Sequence, residues 1–215
     1  WKKRPREARE LGRTARKDFS RDRGSAVANA LAVEAMANLL LADRKEALAL
    51  AEEGLVALAR GPVLFQMWPA CELLCAVLLP LWQDALTQHA DNEPRLRSAA
   101  LRACRAARSL GNICPIGQPI SLRAWGTVAN ILGQSRRAHK RLEEAVVHAE
   151  RLKMPLELAQ SCLALGRALP DDPERRAHLL QRAHHVSTEL GCSLFAEQAT
   201  ALLTETPSSP TQRKP

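Results

Sequence analysis

Residues 126–145 read GTVANILGQSRRAHKRLEEA, and this stretch decides the fold. A small residue stands at Gly126, a second follows twelve positions later at Ala138, and a third follows seven positions after that at Ala145. The break Gly133-Gln134-Ser135 separates two segments in which apolar residues recur at helical spacing. The pattern predicts two antiparallel helices joined by a short turn. We expect Gly126 to face Ala138 across the pair and Ala145 to let the next hairpin approach.

The same spacing occurs a second time, at Ala35, Ala47 and Gly54, around the break Ala42-Asp43-Arg44. A looser third copy consists of Gly166, Ala177 and Ala183. Small residues repeated in this order resemble the tetratricopeptide repeat, in which Gly or Ala occupies such contact positions. The sequence therefore predicts an all-α fold in which antiparallel helical hairpins stack as a TPR-like α-solenoid. Helix ends at Leu110-Gly111, Leu152-Lys153 and Leu190-Gly191 indicate a period of about 40 residues.

The composition also indicates helix, because aromatic residues make up only 3% of the chain and no segment reads as alternating strands and turns. The net charge is +8, and the first 23 residues hold ten Lys or Arg against four Asp or Glu, a balance of +6. We interpret residues 1–23 as a basic segment, the end of a truncated helix or repeat. Residues 24–204 are predicted to form the repeat domain. Residues 205–215, rich in Thr, Ser and Pro, are expected to be a disordered tail.

Several local signals define the helices more closely. Pro5 to about Arg21 is predicted to be a basic helix, with Ser25 as the N-cap of the next helix and Asp172 as the N-cap of a later one. The segment 64–89 is predicted to be an apolar helix or helix pair interrupted near Pro69 and Pro80. We expect a loop over residues 111–119.

No sequence signature of catalysis, cofactor binding or metal binding is present. Phosphate-binding loops, dinucleotide fingerprints, nucleophile elbows and zinc spacings are all missing from the sequence. The six cysteines include no Cys-x-x-Cys pair, so we expect buried free thiols in a reducing, cytoplasmic environment. The longest apolar run, Leu73–Trp82, is half of the roughly twenty residues that a membrane span needs, so this segment is not expected to insert. Because the chain begins at Trp1 rather than Met, we expect a fragment of a longer protein.

Four arginines and a tryptophan are the candidate binding residues. Over residues 94–110 the arginines lie near one side of a predicted helix and apolar residues near the other. This basic stripe either receives an acidic peptide in a groove or is a plain solvated face. Trp68, Trp82 and Trp125 are interpreted chiefly as core anchors. The candidate partner-binding residues are Arg95, Arg102, Arg105, Arg108 and Trp125.

The second half of the chain contains sequence motifs more specific than the spacing of small residues: ICPIGQP at 113–119, WG at 125–126, GQSRRAH at 133–139, AERLKMP at 149–155 and LGRALP at 165–170. Over residues 95–205 the chain resembles the C-terminal helical array of large signalling proteins that combine a class III adenylate/guanylate cyclase, or a protein kinase, with an AAA-type STAND ATPase. The resemblance implies that catalysis belongs to N-terminal domains outside this chain, so no catalytic residue is carried over.

The sequence thus predicts a non-catalytic interaction or regulatory module that binds a protein partner or other domains of its parent chain. One alternative is a sensor that binds a small effector in the superhelical groove, near the arginine stripe and Trp125. Another is binding of nucleic acid or an acidic surface through the basic N-terminal segment, whose affinity would fall steeply with salt. Of these, nucleic acid is the partner we expect least.

Overall fold

The computed structural model describes residues 4–18, 24–60 and 65–204, and for Phe65 the backbone alone. These ranges are all-helical and contain no β-strand, as predicted for the fold class. A 3₁₀ turn at Phe65–Met67 precedes the fourth helix. The expected tail at 205–215 and the end of the predicted first helix near Arg21 lie outside the described residues. The ten α-helices are α1 Pro5–Asp18, α2 Gly24–Leu40, α3 Arg44–Ala59, α4 Trp68–Thr87, α5 Glu93–Ile113, α6 Gly117–Ile131, α7 Ser135–Arg151, α8 Pro155–Arg167, α9 Pro173–Glu189 and α10 Ser193–Thr204.

The helices pack in chain order. Each helix from α1 to α9 contacts its successor, and each even-numbered helix from α2 to α8 also contacts the next even-numbered one. Buried apolar side chains form two clusters, the first drawn from α2 to α6 and the second from α7 to α10. The even-numbered helices therefore contact one another directly along the whole described chain.

Five of the inter-helix turns share one backbone design. In each, a residue with positive φ follows the helix, and the next N–H donates to the carbonyl five residues back, which is the Schellman pattern. Gly133 and Gly191 occupy two of these left-handed positions. Lys153 and Gly191 are therefore confirmed as markers of helix ends. The five residues are Ala42, His89, Gly133, Lys153 and Gly191.

The predicted helix end at Gly111 and the predicted loop at 111–119 are both wrong. Helix α5 continues to Ile113, and α6 begins at Gly117. A Cβ on Gly117 would lie 2.8 Å from the backbone nitrogen of Gly111, so only glycine fits where the two helices meet. This close approach lets the chain reverse in the three residues Cys114–Ile116 instead of a long loop.

The prediction of an interruption at Pro80 is also wrong, because α4 runs unbroken from Trp68 to Thr87 with Pro80 inside it. Pro69 lies in the first turn, where its missing N–H costs nothing. An interior proline costs about 3 kcal/mol, and the burial of ten α4 residues in the core offsets it. By length and composition alone α4 could cross a membrane, yet 56% of its apolar window is buried among the other helices.

The two predicted N-caps have different outcomes. Ser25 is not a cap, because α2 already includes Gly24 and Ser25 lies inside the helix. Asp172 is confirmed as the cap of α9, since its Oδ1 accepts a hydrogen bond of 3.1 Å from the backbone N–H of Arg175. An aspartate side chain at this position replaces a hydrogen bond that the first helical turn lacks.

The small residues of the repeat lie between helices, but not always against one another. The three nearest atoms to a Cβ on Gly126 all belong to Leu142 of α7, with its Cγ at 2.6 Å, so Leu142 lies closer to Gly126 than the expected Ala138 does. A leucine fits over the bare glycine backbone better than a second small residue, and Gly166 receives Leu180 in the same way. Gly54 faces Leu74 of α4, the next hairpin. Of the other repeat residues, Ala177 is half-buried and the rest are fully buried: Ala35, Ala47, Ala138, Ala145 and Ala183.

Candidate functional site

The predicted arginine stripe on α5 does not act as one row. Arg95 forms an ion pair with Glu52 of α3, and its Nε donates to Oε1 at 2.8 Å. Arg108, near the other end of α5, places its guanidinium over the ring of Trp125, 4.6 Å from the centroid. Arg102 and Arg105 are exposed, and neither has a carboxylate within ion-pairing distance in the described ranges. The structure therefore joins Arg108 to Trp125 and separates Arg95 from both.

The indole N–H of Trp125 forms a hydrogen bond that holds the side chain in place. Its side chain is half-buried against the first core cluster, and its Nε1 donates to the backbone oxygen of Cys104 at 3.2 Å. Trp82 is 1% exposed and donates to Glu93 at 2.7 Å, which confirms its role as a core anchor. Trp125 combines such anchoring with a ring face that guanidinium groups can reach.

A second arginine, which the sequence reasoning missed, reaches the same ring. The guanidinium of Arg141 on α7 lies 5.7 Å from the Trp125 centroid. Burial lowers the pKa of Arg141, as do the charges of Arg137 and Arg108, while Glu144 opposes the shift. Positive charge is therefore concentrated around one indole. We name Arg108, Trp125 and Arg141 the Trp125 cluster.

The Trp125 cluster interrupts a regular pattern of ion pairs. Successive odd-numbered helices are joined near the surface by arginine–glutamate pairs at the α1–α3, α3–α5 and α7–α9 junctions. At the α5–α7 junction the described residues form no such pair, and two arginines meet at one tryptophan instead. The junction therefore holds two arginines that form no ion pair, although the charge of Glu144 acts on Arg141. The pairs at the other junctions are Arg16–Glu53, Arg95–Glu52, Arg175–Glu143 and Arg182–Glu150.

The even-numbered helices are joined by a buried charged triad. Arg123 of α6 donates to Glu157 of α8 at 2.5 Å and to Glu72 of α4. Glu157 is 1% exposed and the Glu72 side chain 13%. Sequence reasoning missed the triad, because its members are far apart in the chain. A charged residue inside an apolar helix, such as Glu72 in α4, is the one signal that could have found it.

The triad contains two carboxylates and one guanidinium, so it carries a net negative charge when all three groups are ionised. Burial raises the pKa of Glu72 to about 7, against the opposing effect of Arg123. Although burial disfavours the charged guanidinium, the two carboxylates raise the pKa of Arg123. Arg123 is engaged by both acids, and we interpret the triad as a link between helices rather than as acid–base machinery.

The cysteine thiols are all free, and four of the six are buried. Burial raises the pKa of Cys71 to about 12 and that of Cys162 to about 11. A hydrogen bond to Cys104, together with burial, raises the pKa of Cys75. These thiols are therefore poor nucleophiles. Across the part of the chain that the structure describes, no three His, Cys, Asp or Glu side chains are grouped to hold a metal ion.

A scan against protein-family models and a search of curated proteins find no match to this chain. The resemblance to TPR arrays and to the helical region of cyclase- or kinase-linked ATPases therefore stays a prediction. What the chain binds has to be inferred from its charges and contacts.

Proposed function

We propose that this chain is a non-catalytic interaction module, a TPR-like α-solenoid from a larger signalling protein of the cyclase- or kinase-linked ATPase type. Its ligand is an acidic segment of a protein partner or of its parent chain. Contacts between consecutive helices, and between helices two apart, support a stack of hairpins. The buried small residues at the repeat positions support the same arrangement.

The observation that carries the binding proposal is the pair of arginines over Trp125. Like charges at one ring repel each other, and an added carboxylate would relieve that repulsion while accepting charge-assisted hydrogen bonds. Arginine and tryptophan are also the residue types that most often dominate binding energy at protein interfaces. The acidic segment would thus complete the ion-pair pattern that the α5–α7 junction lacks.

The test is calorimetric titration of the whole chain with a peptide rich in Asp and Glu and with its Asn/Gln counterpart. We expect the acidic peptide alone to bind, and expect the variant Arg108→Ala/Arg141→Ala to weaken binding by at least about tenfold. Arg175→Ala is the matched control, because it removes an arginine that already pairs with Glu143. Equal binding by the double variant and the control would refute the proposal.

The sensor alternative has a weaker basis in the structure. A depression of about 330 Å³ is lined by α5 residues alone, Arg105 among them, and is open to solvent. Small-molecule sites are usually enclosed and draw on several elements. Titration with small dicarboxylates in the same calorimeter separates the two functions, since a sensor would bind them and not the peptide.

A further inference from the structure

The basic helix α1 is held on the chain by charge rather than by apolar packing. Arg13 donates through Nε to Glu34 of α2 at 3.0 Å, and Arg16 lies 3.8 Å from the second oxygen of the same carboxylate. Arg16 also reaches Glu53 of α3 at 3.3 Å. Glu34 is only 1% exposed, so these arginines neutralise a carboxylate that is buried where α1 packs on α2.

The remainder of α1 contributes little to the core. Gly12 is its single buried residue, and no α1 side chain belongs to either apolar cluster. Leu11, the one large apolar side chain of α1, is 69% exposed. A helix attached in this way has a weak hydrophobic contribution to docking, because burial of apolar area is small.

Gly12 determines how closely α1 approaches. A Cβ at this position would lie 3.1 Å from the Ala30 carbonyl oxygen and 3.1 Å from Glu34 Cβ. A larger residue would push the helix away and pull both arginines off the carboxylate. The order Gly12-Arg13-x-x-Arg16 therefore matches the surface in shape as well as in charge.

We propose that Glu34, with Glu53 at its edge, is a docking site for a basic partner helix carrying Gly-Arg-x-x-Arg, and that α1 is its intramolecular occupant. Oε2 of Glu34 has no hydrogen-bond partner, so a better-placed guanidinium would gain a bond that α1 does not make. A partner helix competes with α1 for one buried carboxylate. The site is independent of the Trp125 cluster, which takes acidic ligands, so either proposal can fail alone.

The experiment vacates the site in the full chain and refills it from solution. Arg13→Ala/Arg16→Ala removes the ion pairs of α1 with Glu34 and Glu53, and a labelled peptide of residues 4–18, RPREARELGRTARKD, is titrated by fluorescence anisotropy. We expect saturable binding that falls at least about tenfold when Glu34→Gln is added. A peptide carrying Gly12→Leu should lose binding, whereas Arg6→Ala should retain it because Arg6 is exposed and unpaired in the described structure. No binding to the folded double variant, or binding indifferent to Glu34→Gln, overturns the proposal.

A measurement on the unmodified chain covers the case in which the variant does not fold. Ion pairs weaken as the Debye length falls from about 10 Å at 0.1 M salt to about 3 Å at 1 M. Hydrogen exchange of residues 5–18 should therefore accelerate between these salt concentrations while α8 is unchanged. Equal exchange of α1 at both salt concentrations would count against a displaceable, charge-held helix.

Discussion

Replacing Glu72 by glutamine tests the electrostatics of the buried triad. The folded chain raises the pKa of Glu72 from 4.5 to about 7, chiefly through burial, so the folded state holds this proton more tightly than the unfolded state. The stabilisation from Glu72 is complete below pH 4.5 and is lost as the pH rises through 7. The difference in pKa corresponds to about 3 kcal/mol, a large share of the roughly 5–15 kcal/mol that stabilises a typical domain.

Glutamine resembles the protonated acid at every pH. We therefore expect Glu72→Gln to match the parent near pH 4.5 and to exceed its free energy of unfolding at pH 8 by up to about 3 kcal/mol. Urea denaturation followed by circular dichroism at several pH values measures both. Glu143→Gln, in an exposed pair, is the control and should change stability by less than about 1 kcal/mol. A Glu72→Gln chain less stable than the parent at pH 8 would refute the reasoning.

Removing the cation has the opposite result. Arg123→Met leaves Glu72 and Glu157 facing each other without a cation, and breaking a buried pair in this way costs about 3–5 kcal/mol. The cost should be larger at pH 8 than at pH 5, because a protonated Glu72 is neutral and its burial no longer depends on the charge of Arg123. A cost that does not change with pH would mean that Arg123 contributes packing alone.

Four further substitutions test the packing, the turns and a cap, each by urea denaturation. Gly126→Ala should destabilise the chain by about 1–3 kcal/mol, because the added methyl would overlap Leu142; no effect would show that the two helices can separate freely. Gly133→Ala should cost about 1 kcal/mol, because the φ of +70° disfavours a residue with a Cβ even though no atom lies near that position. Lys153→Gly should stabilise the chain by about 0.5 kcal/mol, because glycine adopts the positive φ of this position without strain. Opposite signs for either turn variant would contradict this. Asp172→Ala should cost about 1 kcal/mol through the lost cap, and an unchanged midpoint would count against it.

The spacing of small residues predicts the helical hairpins well, because close helix contact imposes it locally. The pair at 126–145 is observed with its turn at Gly133, between the end of α6 at Ile131 and the start of α7 at Ser135. What the spacing cannot predict is the partner of each small residue. That Leu142 lies closest to Gly126 depends on the position of α7 along α6, which is a property of the packed pair.

The candidate site was only partly predictable, because helix packing decides which of its residues meet. Arg108 and Trp125 are conspicuous in the sequence, but Arg141 joins them because α7 packs beside α6. The triad is harder still, since Arg123 bonds to residues 51 positions before it and 34 positions after it. Local periodicity carries no information about such distant pairs. At Pro80 the local signal is strong, since proline usually breaks a helix, but the burial of α4 in the core outweighs it and the helix continues.

The five Schellman turns have a consequence for how the chain tolerates sequence change. Each is closed by main-chain bonds, such as that from the N–H of Met154 to the carbonyl of Ala149, so no particular side chain is needed to reverse the helix direction. Residues as different as alanine, histidine, lysine and glycine occupy the left-handed position. The turn surface can therefore differ in charge and size from one turn to the next. Substitutions there can alter what the molecule recognises while the register of the adjoining helices is preserved.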